Sequence, residues 1–140
     1  MKTTELIGLS LNWAVESALG GREPILINPK HMPKGIYRKG AGLVRRNPSA
    51  SDKDGGPIID AFHIGTQYLT YGRQHWGARI QLPNETYDQA KLILGPTRLI
   101  AAMRCFCLHQ LGEEIELPQV LKDDDEFVLI RTDSTFHEED

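Results

Sequence analysis

Three residues in the last third of this sequence have types and spacing that could bind a metal: Cys105, Cys107 and His109, in the order C-x-C-x-H. Zinc is held by cysteine thiolates and histidine nitrogens. On a helix, however, only Cys105 and His109, four residues apart, share a face. No second close pair of ligands appears elsewhere in the sequence. We therefore expect core cysteines, no metal site and no cofactor.

Histidines offer a second kind of chemistry, general base catalysis. The candidates are His63, which lies near Asp60, and His75. A catalytic base needs a partner and a shaped site, whereas a histidine in a turn-rich β region is more often a hydrogen-bonding surface residue. The serines lack the G-x-S-x-G elbow, and the glycine motifs G-x-G-x-x-G and G-x-x-x-x-G-K-[ST] are missing. We predict no catalytic residue and no enzyme activity.

Length and composition are typical of one globular domain, with 140 residues, 40% of them hydrophobic and 25% charged. No apolar run approaches the roughly 18 residues of a membrane span. The first residues also lack the apolar segment of a signal peptide. The two cysteines project about 200° apart on a helix, so they cannot readily form a disulfide, and free thiols fit a reducing compartment. We expect a cytoplasmic protein without a membrane partner.

The net charge of −3 conceals two regions of opposite charge. Residues 24–50 carry six lysines and arginines and no acid, whereas residues 112–140 carry eleven acids and two cations. The simplest interpretation is that the two regions attract each other, within one chain or across a homodimer. A homodimer of this kind should loosen as salt is added.

Four cations of the basic region and one aromatic pair form the candidate interaction surface. Tyr37 is interleaved with the cations, a pattern that could place phosphates and stack a base. The pI of about 5.9 argues against a dedicated nucleic-acid-binding protein. In H-W-G, an amphipathic aromatic beside glycine often marks a recognition patch; the alternative is a core tryptophan on a strand. The candidate residues are Arg38, Lys39, Arg45, Arg46, His75 and Trp76.

The element that the pattern defines best is a helix between Thr97 and Gly112. Threonine can cap the free N–H groups of a first turn, and glycine tolerates the positive φ of a helix end. The residues between them are apolar almost all round, which is typical of a buried helix. Residues 113–117 then alternate as a half-buried strand does. We predict that this helix forms the centre of the core.

The chain before this helix is predicted to hold one more helix and several short strands. An apolar stripe indicates a first helix that starts at Ser10 or Thr4 and ends at Leu19. Residues 47–56 have the composition of a polar, mobile surface loop, and residues 85–94 fit a helix or a strand equally well. Strand patterns occur at residues 24–28, 36–37, 43–44, 57–64, 68–71 and 76–82.

Together these elements predict a single α+β domain over residues 1–140, in which an antiparallel sheet packs against two helices. Residues 122–140 are rich in acids and are predicted to form a loosely attached tail. Within the tail, the apolar residues 127–130 could add an edge strand or pack as a clasp.

Several motifs resemble the NinX-like family of phage and prophage proteins, a family without an established function. The most specific motif is G-P-T-x-L-I-A-A-M-R-C in the predicted central helix. The resemblance rests on L-N-W-A-V-E at 11–16, N-P-S at 47–49, G-G-P-I-I at 55–59, the helix motif at 95–105 and L-G-E-E-I-E-L-P at 111–118. Together the motifs span most of the chain from residue 5 to about residue 121.

The resemblance implies a small protein made from a phage or prophage gene in a bacterial host cell, and it supplies no catalytic residue. The chain departs from the family pattern at two places. Arg98 replaces a proline expected after Thr97, and residues 51–53 lack an aromatic often found before the G-G pair. Position N1 of a helix tolerates most residues, so the helix should still start there. We expect an accessory protein that binds an unknown phage or host protein; the alternative is a nucleic-acid-binding accessory.

Overall fold

The computed structural model of the protein describes residues 1–20, 25–27, 35–39, 43–70, 72, 75–82, 86, 90–118 and 121. For residues 25–27, 39 and 43 only the backbone is described. The acidic tail predicted at residues 122–140 lies outside the described residues.

Helices and antiparallel strands both contribute to the described fold. The helices are α1 (Gly8–Ala18), α2 (Asp52–Ala61) and α3 (Arg98–Leu111), and a short 3-10 helix spans Thr3–Glu5. The strands are β1 (Ile25–Ile27), β2 (Gly35–Lys39), β3 (Leu43–Arg46), β4 (Gly65–Tyr68), β5 (Trp76–Arg79) and β6 (Ile93–Gly95). The predicted single-domain α+β class, with antiparallel sheet packed against helices, is confirmed. The described part of the chain adds a helix, α2, to the two predicted.

The described strands form two three-stranded antiparallel sheets, in the orders β1-β2-β3 and β4-β5-β6. In the first sheet, Ile36 of β2 lies opposite Arg46 of β3. In the second sheet, Trp76 of β5 lies between Tyr68 of β4 and Gly95 of β6. Neighbours in sequence pair within each sheet, and α2 separates the two groups of strands along the chain.

Helix α3 lies at the centre of the fold, as predicted. Thr97 caps its first turn, since its Oγ1 accepts a hydrogen bond from the N–H of Ile100 at 3.1 Å. Gly112 ends the helix at φ 90°. The helix contacts α1, α2 and all three strands of the second sheet. Gly95 allows β6 to lie directly against it, because a β-carbon there would collide with the backbone of Ala101.

The core around α3 also fixes the N-terminal residues. The largest fully buried apolar side chains are Phe106, Leu6, Leu11, Ile36 and Met103. Thr3 is buried, and its Oγ1 donates a hydrogen bond to the carbonyl of Gly112 at 2.5 Å. The strand predicted at 113–117 is wrong, because this segment forms one isolated bridge, between Lys2 and Glu114.

Helix α2 covers residues 52–56 of the predicted loop and residues 57–61 of the predicted strand, so the strand is wrong and the loop is confined to residues 47–51. Asp52 and Asp54 occupy its first turn, where carboxylates are stabilised by the positive end of a helix. Ile58 and Ile59 are buried against the core. Pro57 lies inside the helix, and proline and glycine lower helix propensity. Tertiary packing therefore stabilises this helix, although the local sequence does not favour one.

The other elements differ from the predictions mainly at their ends. Helix α1 begins at Gly8, between the two predicted starts, and ends at Ala18, one residue before the predicted end. Strands β1, β2, β3 and β5 lie within or across the predicted segments, whereas β4 begins three residues early, at Gly65. The ambiguous segment 85–94 ends as strand β6.

Candidate interaction surface

Two of the candidate cations, Arg38 and Arg46, lie on one face of the first sheet and bind the same buried carboxylate. Glu16 of α1 is 1% exposed. Its Oε1 lies 2.6 Å from Arg38 Nη2, an ion pair without the alignment of a hydrogen bond. Its Oε2 accepts a hydrogen bond from Arg46 Nε at 3.1 Å. Strands β2 and β3 are thus tied to helix α1 by charge.

A second buried carboxylate extends this group to helix α2. Asp54 accepts a hydrogen bond from Arg46 Nη1 at 3.0 Å and another from the N–H of Asn47 at 2.8 Å. Arg46 therefore joins Glu16 of α1 to Asp54 of α2. We call these four residues, Glu16, Arg38, Arg46 and Asp54, the ionic cluster.

The segment after β3 is held against α1 by side-chain amides. Asn12 is 4% exposed; its Nδ2 donates to Asn47 Oδ1 at 2.9 Å, and its Oδ1 accepts from the N–H of Ser49 at 3.0 Å. Residues 47–51 form a turn, as the loop prediction expected, but Asn47 and Ser49 bind the buried Asn12, so this part of the predicted loop is held against the core. The motif segments 11–16 and 47–49 therefore meet beside the ionic cluster, and segment 55–59 follows Asp54 directly.

The ionic cluster changes the interpretation of the charged regions. Arg38 and Arg46 bind Glu16 and Asp54, whereas the sequence predicted partners among the acids of residues 112–140. The C-terminal acids from residue 123 lie outside the described residues, and the homodimer expected from the charge regions stays a prediction. Arg45 is exposed on the opposite face of the first sheet, opposite Tyr37. The side chain of Lys39 lies outside the described residues.

The aromatic pair of the candidate surface, His75 and Trp76, is part of a larger cluster at the corner of the second sheet. Tyr68 is 60% exposed, the most exposed large apolar side chain that the structure describes. The centroid of its ring lies 5.5 Å from that of Trp76, in an edge-to-face contact. It lies 6.2 Å from the ring centroid of His75, and these two rings are stacked. Trp76 is half-buried and His75 exposed. We call Tyr68, His75 and Trp76 the aromatic corner.

A groove of about 380 Å³ lies between the first turns of α2 and α3. Its lining residues are Ser49, Ala50, Asp52, Thr97, Arg98, Leu99 and Ile100. Arg98 connects the groove to the second sheet, because its Nε donates to Thr66 Oγ1 at 3.3 Å and its Nη1 lies 3.4 Å from Asp52 Oδ1. Thr66 and Tyr68, two residues apart on β4, share a face. The groove and the aromatic corner are therefore neighbours.

Apart from His75, which belongs to the aromatic corner, the residues considered for metal or base chemistry lie away from this surface or deep in the core. Burial raises the pKa of the Cys105 thiol to about 12, and burial next to Cys105 raises the pKa of Cys107 further. Both thiols therefore stay protonated near neutral pH. His63 and His109 are exposed, on α2's C-terminal side and near the end of α3.

Sequence analysis missed three features of this region. Glu16 and Asn12 are polar residues on the buried stripe of α1, and that position is a readable signal, because a polar group on an apolar face requires a partner. Buried Arg104 donates from Nε to the carbonyl of Leu6 at 2.8 Å, and burial lowers its pKa while Glu5 opposes the change. No sequence signal distinguishes Tyr68 from the other aromatic residues of the β-rich region.

Comparison with known families agrees with the resemblance seen in the motifs. None of the described helices is long and apolar enough to cross a membrane. Among the described residues, no three His, Cys, Asp or Glu side chains are grouped to hold a metal ion. Comparison with curated proteins gives no match. The family model described as NinX of bacteriophage P22 matches residues 2–110, which include every described strand and most of α3. The chain therefore belongs to the bacteriophage P22 NinX family.

Proposed function

We propose that this phage accessory protein acts without catalysis, in the cytoplasm of the bacterial host, by binding another phage or host protein. The binding surface is the aromatic corner together with Arg98 and the adjoining groove. The partner presents an apolar side chain to the aromatic corner and a carboxylate to Arg98. Protonated, buried thiols support a role without nucleophilic chemistry.

The exposure of Tyr68 carries this proposal. A tyrosine that is 60% exposed, yet stacked on one ring and packed edge to face against another, presents a rigid apolar surface with a polar edge. Aromatic and arginine side chains are the residues that most often dominate binding energies at protein interfaces. Because Trp76 is fixed on strand β5 and supports Tyr68 from one side, little side-chain entropy is lost when a partner covers the ring.

Affinity capture from phage-infected host cells tests the proposal. The tagged full-length chain is compared with Tyr68→Ala and with Val44→Ala, a matched control that removes an exposed apolar side chain, 51% exposed, from the other sheet. We expect Tyr68→Ala to weaken binding of the captured protein by about 30-fold, because truncating a central aromatic residue typically costs about 2 kcal/mol. Val44→Ala should leave binding unchanged. Equal capture by all three chains would contradict the proposal.

Nucleic-acid binding is the second function to test, although the ionic cluster weighs against it. Arg38 and Arg46 would have to exchange Glu16 and Asp54 for phosphates, and breaking a buried ion pair is costly. Gel retardation of single- and double-stranded DNA over a salt series decides the matter. Salt-dependent retention that Arg45→Ala weakens would favour nucleic-acid binding, and no retention at low salt would remove it.

A further inference from the structure

Strand β4 is an edge of the second sheet, since the described strands run in the order β4-β5-β6. The N–H of Leu69 donates to the carbonyl of His75 at 2.6 Å. Antiparallel pairs alternate between residues that exchange hydrogen bonds and residues that do not. Gln67 therefore faces β5 with its backbone groups, whereas Thr66 and Tyr68 direct their N–H and C=O groups away from the sheet.

The outward backbone groups of Thr66 and Tyr68 have no partner among the residues that the structure describes. Natural sheets commonly protect an edge with lysine, proline or an inward-pointing charge. Strand β4, with the sequence G-T-Q-Y, contains none of these. The strand is short. The N–H and C=O groups of Thr66 and Tyr68 make four outward backbone groups, which can pair with two alternate residues of one extended segment.

The side chains beside these backbone groups indicate the chemistry of such a segment. The hydroxyl of Thr66 accepts a hydrogen bond from the Arg98 guanidinium, and Tyr68 belongs to the aromatic corner. An added antiparallel strand would place one residue opposite Tyr68 and the residue two positions later opposite Thr66, with both side chains on the same face. The first position suits an apolar side chain, and the second suits a carboxylate beside Arg98.

We propose that the partner binds as an extended segment of the pattern apolar-x-acidic, which adds an antiparallel strand to β4. This inference rests on the proposed function, since it names the form of the partner at the same surface. Main-chain hydrogen bonds to Thr66 and Tyr68 supply affinity, and the two alternating side chains supply specificity.

Arg98 can accept the ligand carboxylate at little cost. Its present ion partner, Asp52, lies at 3.4 Å, and the two side chains are 41% and 81% exposed. Exposed ion pairs of this kind contribute little to stability. A carboxylate on the added strand therefore replaces a weak contact, while the Arg98 bond to Thr66 keeps the guanidinium in place.

Two designed peptides test the inference in solution with the full-length, 15N-labelled chain. The probe is acetyl-Ser-Thr-Ile-Thr-Glu-Thr-Ser-amide, and the control, acetyl-Ser-Thr-Ile-Glu-Thr-Thr-Ser-amide, moves the carboxylate to the opposite face. We expect the probe to shift the amide resonances of Thr66 and Tyr68 more than that of Gln67. The control should bind about threefold more weakly, as loss of one partly exposed ion pair predicts. Unmoved Thr66 and Tyr68 amides at about 5 mM probe, or equal binding of both peptides, would overturn the inference.

Two substitutions at one position separate strand addition from side-chain docking. Thr66→Pro removes an outward N–H without removing a hydrogen bond to β5, and Thr66→Val, the control, keeps that N–H but loses the hydroxyl. We expect Thr66→Pro to weaken binding of the probe at least tenfold and to abolish capture of the partner. Thr66→Val, which no longer positions Arg98 through the hydroxyl, should weaken the probe by no more than about threefold and keep the partner. Thermal unfolding checks that both variants fold. The resonance shifts of the unmodified chain test strand addition even if one variant does not fold. A partner that is lost with Tyr68→Ala but kept by a folded Thr66→Pro chain would preserve the proposed function and refute strand addition.

Discussion

Removal of the Glu16 charge is the sharpest test of the ionic cluster. Glu16→Gln keeps the side-chain shape but leaves one amide oxygen to serve Arg38 and Arg46, and turns the amide NH₂ toward a cation. Breaking a buried ion pair by neutralising one partner typically costs about 3 to 5 kcal/mol. Glu16 is 1% exposed, but Arg46 and Arg38 are 21% and 42% exposed and can regain some water. We therefore expect the low end of the range, about 3 kcal/mol.

Urea unfolding measures this loss, with tryptophan fluorescence and circular dichroism as independent probes. Trp13 lies on α1 near Glu16 and Trp76 on β5, so fluorescence reports on both parts of the fold. With a denaturant slope of about 1.5 to 2 kcal/mol per molar, the midpoint should fall by about 1.5 to 2 M. The control Glu113→Gln, an exposed acid, should change stability by less than about 0.5 kcal/mol. If Glu16→Gln unfolds at the same urea concentration as the control, the cluster does not stabilise the fold as described.

Three further perturbations test other parts of the structure. Thr97→Ala removes the side-chain cap of α3 and should lower the free energy of unfolding by about 1 kcal/mol, measured by urea unfolding against Thr70→Ala at an exposed position; no difference between the two would contradict the cap. Arg98→Pro should leave stability within about 0.5 kcal/mol, because Arg98 is the first residue of α3 and Thr97 is already extended at φ −131° and ψ 163°; a large loss would mean that the arginine bonds stabilise the fold. Burial raises the pKa of Cys105 to about 12 from 9.0, so the protonated thiol is stable when folded and the unfolded chain loses its proton first. Stability should therefore be unaffected by this thiol below about pH 9 and fall as the pH rises from 9 towards 12, less steeply in Cys105→Ala; identical pH profiles would refute the assignment.

The parts of the fold that the sequence predicts well have local causes. Helix α3 has a capping threonine, an apolar surface and a terminal glycine within one stretch, so its bounds follow from nearby residues. Strands β1 to β3 each contain two or three consecutive apolar residues and lie between glycines and prolines in the sequence. In each case the residues that decide the structure are neighbours in the chain, and pattern reasoning can read them directly.

Helix α2 could not be predicted in this way because its stabilising partners are distant in sequence. Asp54 looks like a solvated loop acid until Arg46 and the Asn47 N–H meet it. Gly55 looks like a turn residue, but it lies where a β-carbon would collide with the carbonyl of Pro48 and the side chain of Leu99. Close packing and buried charge thus form a helix from a segment with turn-like composition.

For the candidate surface, too, the sequence identifies some of the residues, but the contacts between them depend on the fold. The sequence identifies His75 and Trp76 as an aromatic pair beside glycine, but Tyr68, whose ring contacts both, comes from the neighbouring strand. Arg38 and Arg46 are evident in the sequence as cations, and only the fold shows that Glu16 contacts both and that Asp54 also binds Arg46. Sequence patterns identify residue types for a surface, whereas the register of β4 on β5 decides which of them meet.

The positions of the motif residues separate the scaffold of this protein from its proposed specificity. Segments 11–16 and 47–49 meet in contacts that fix α1 and the chain after β3, so their side chains are occupied inside the fold. Tyr68, His75 and Trp76 lie outside all the motifs. Arg98 lies inside the most specific motif, at the position where the resemblance implies a proline, and it joins the groove to β4 through Thr66. A proline at that position would form the same helix start but could not bind Thr66 or a ligand carboxylate. We therefore expect an arginine at this position to change what the proposed surface binds while leaving the scaffold intact.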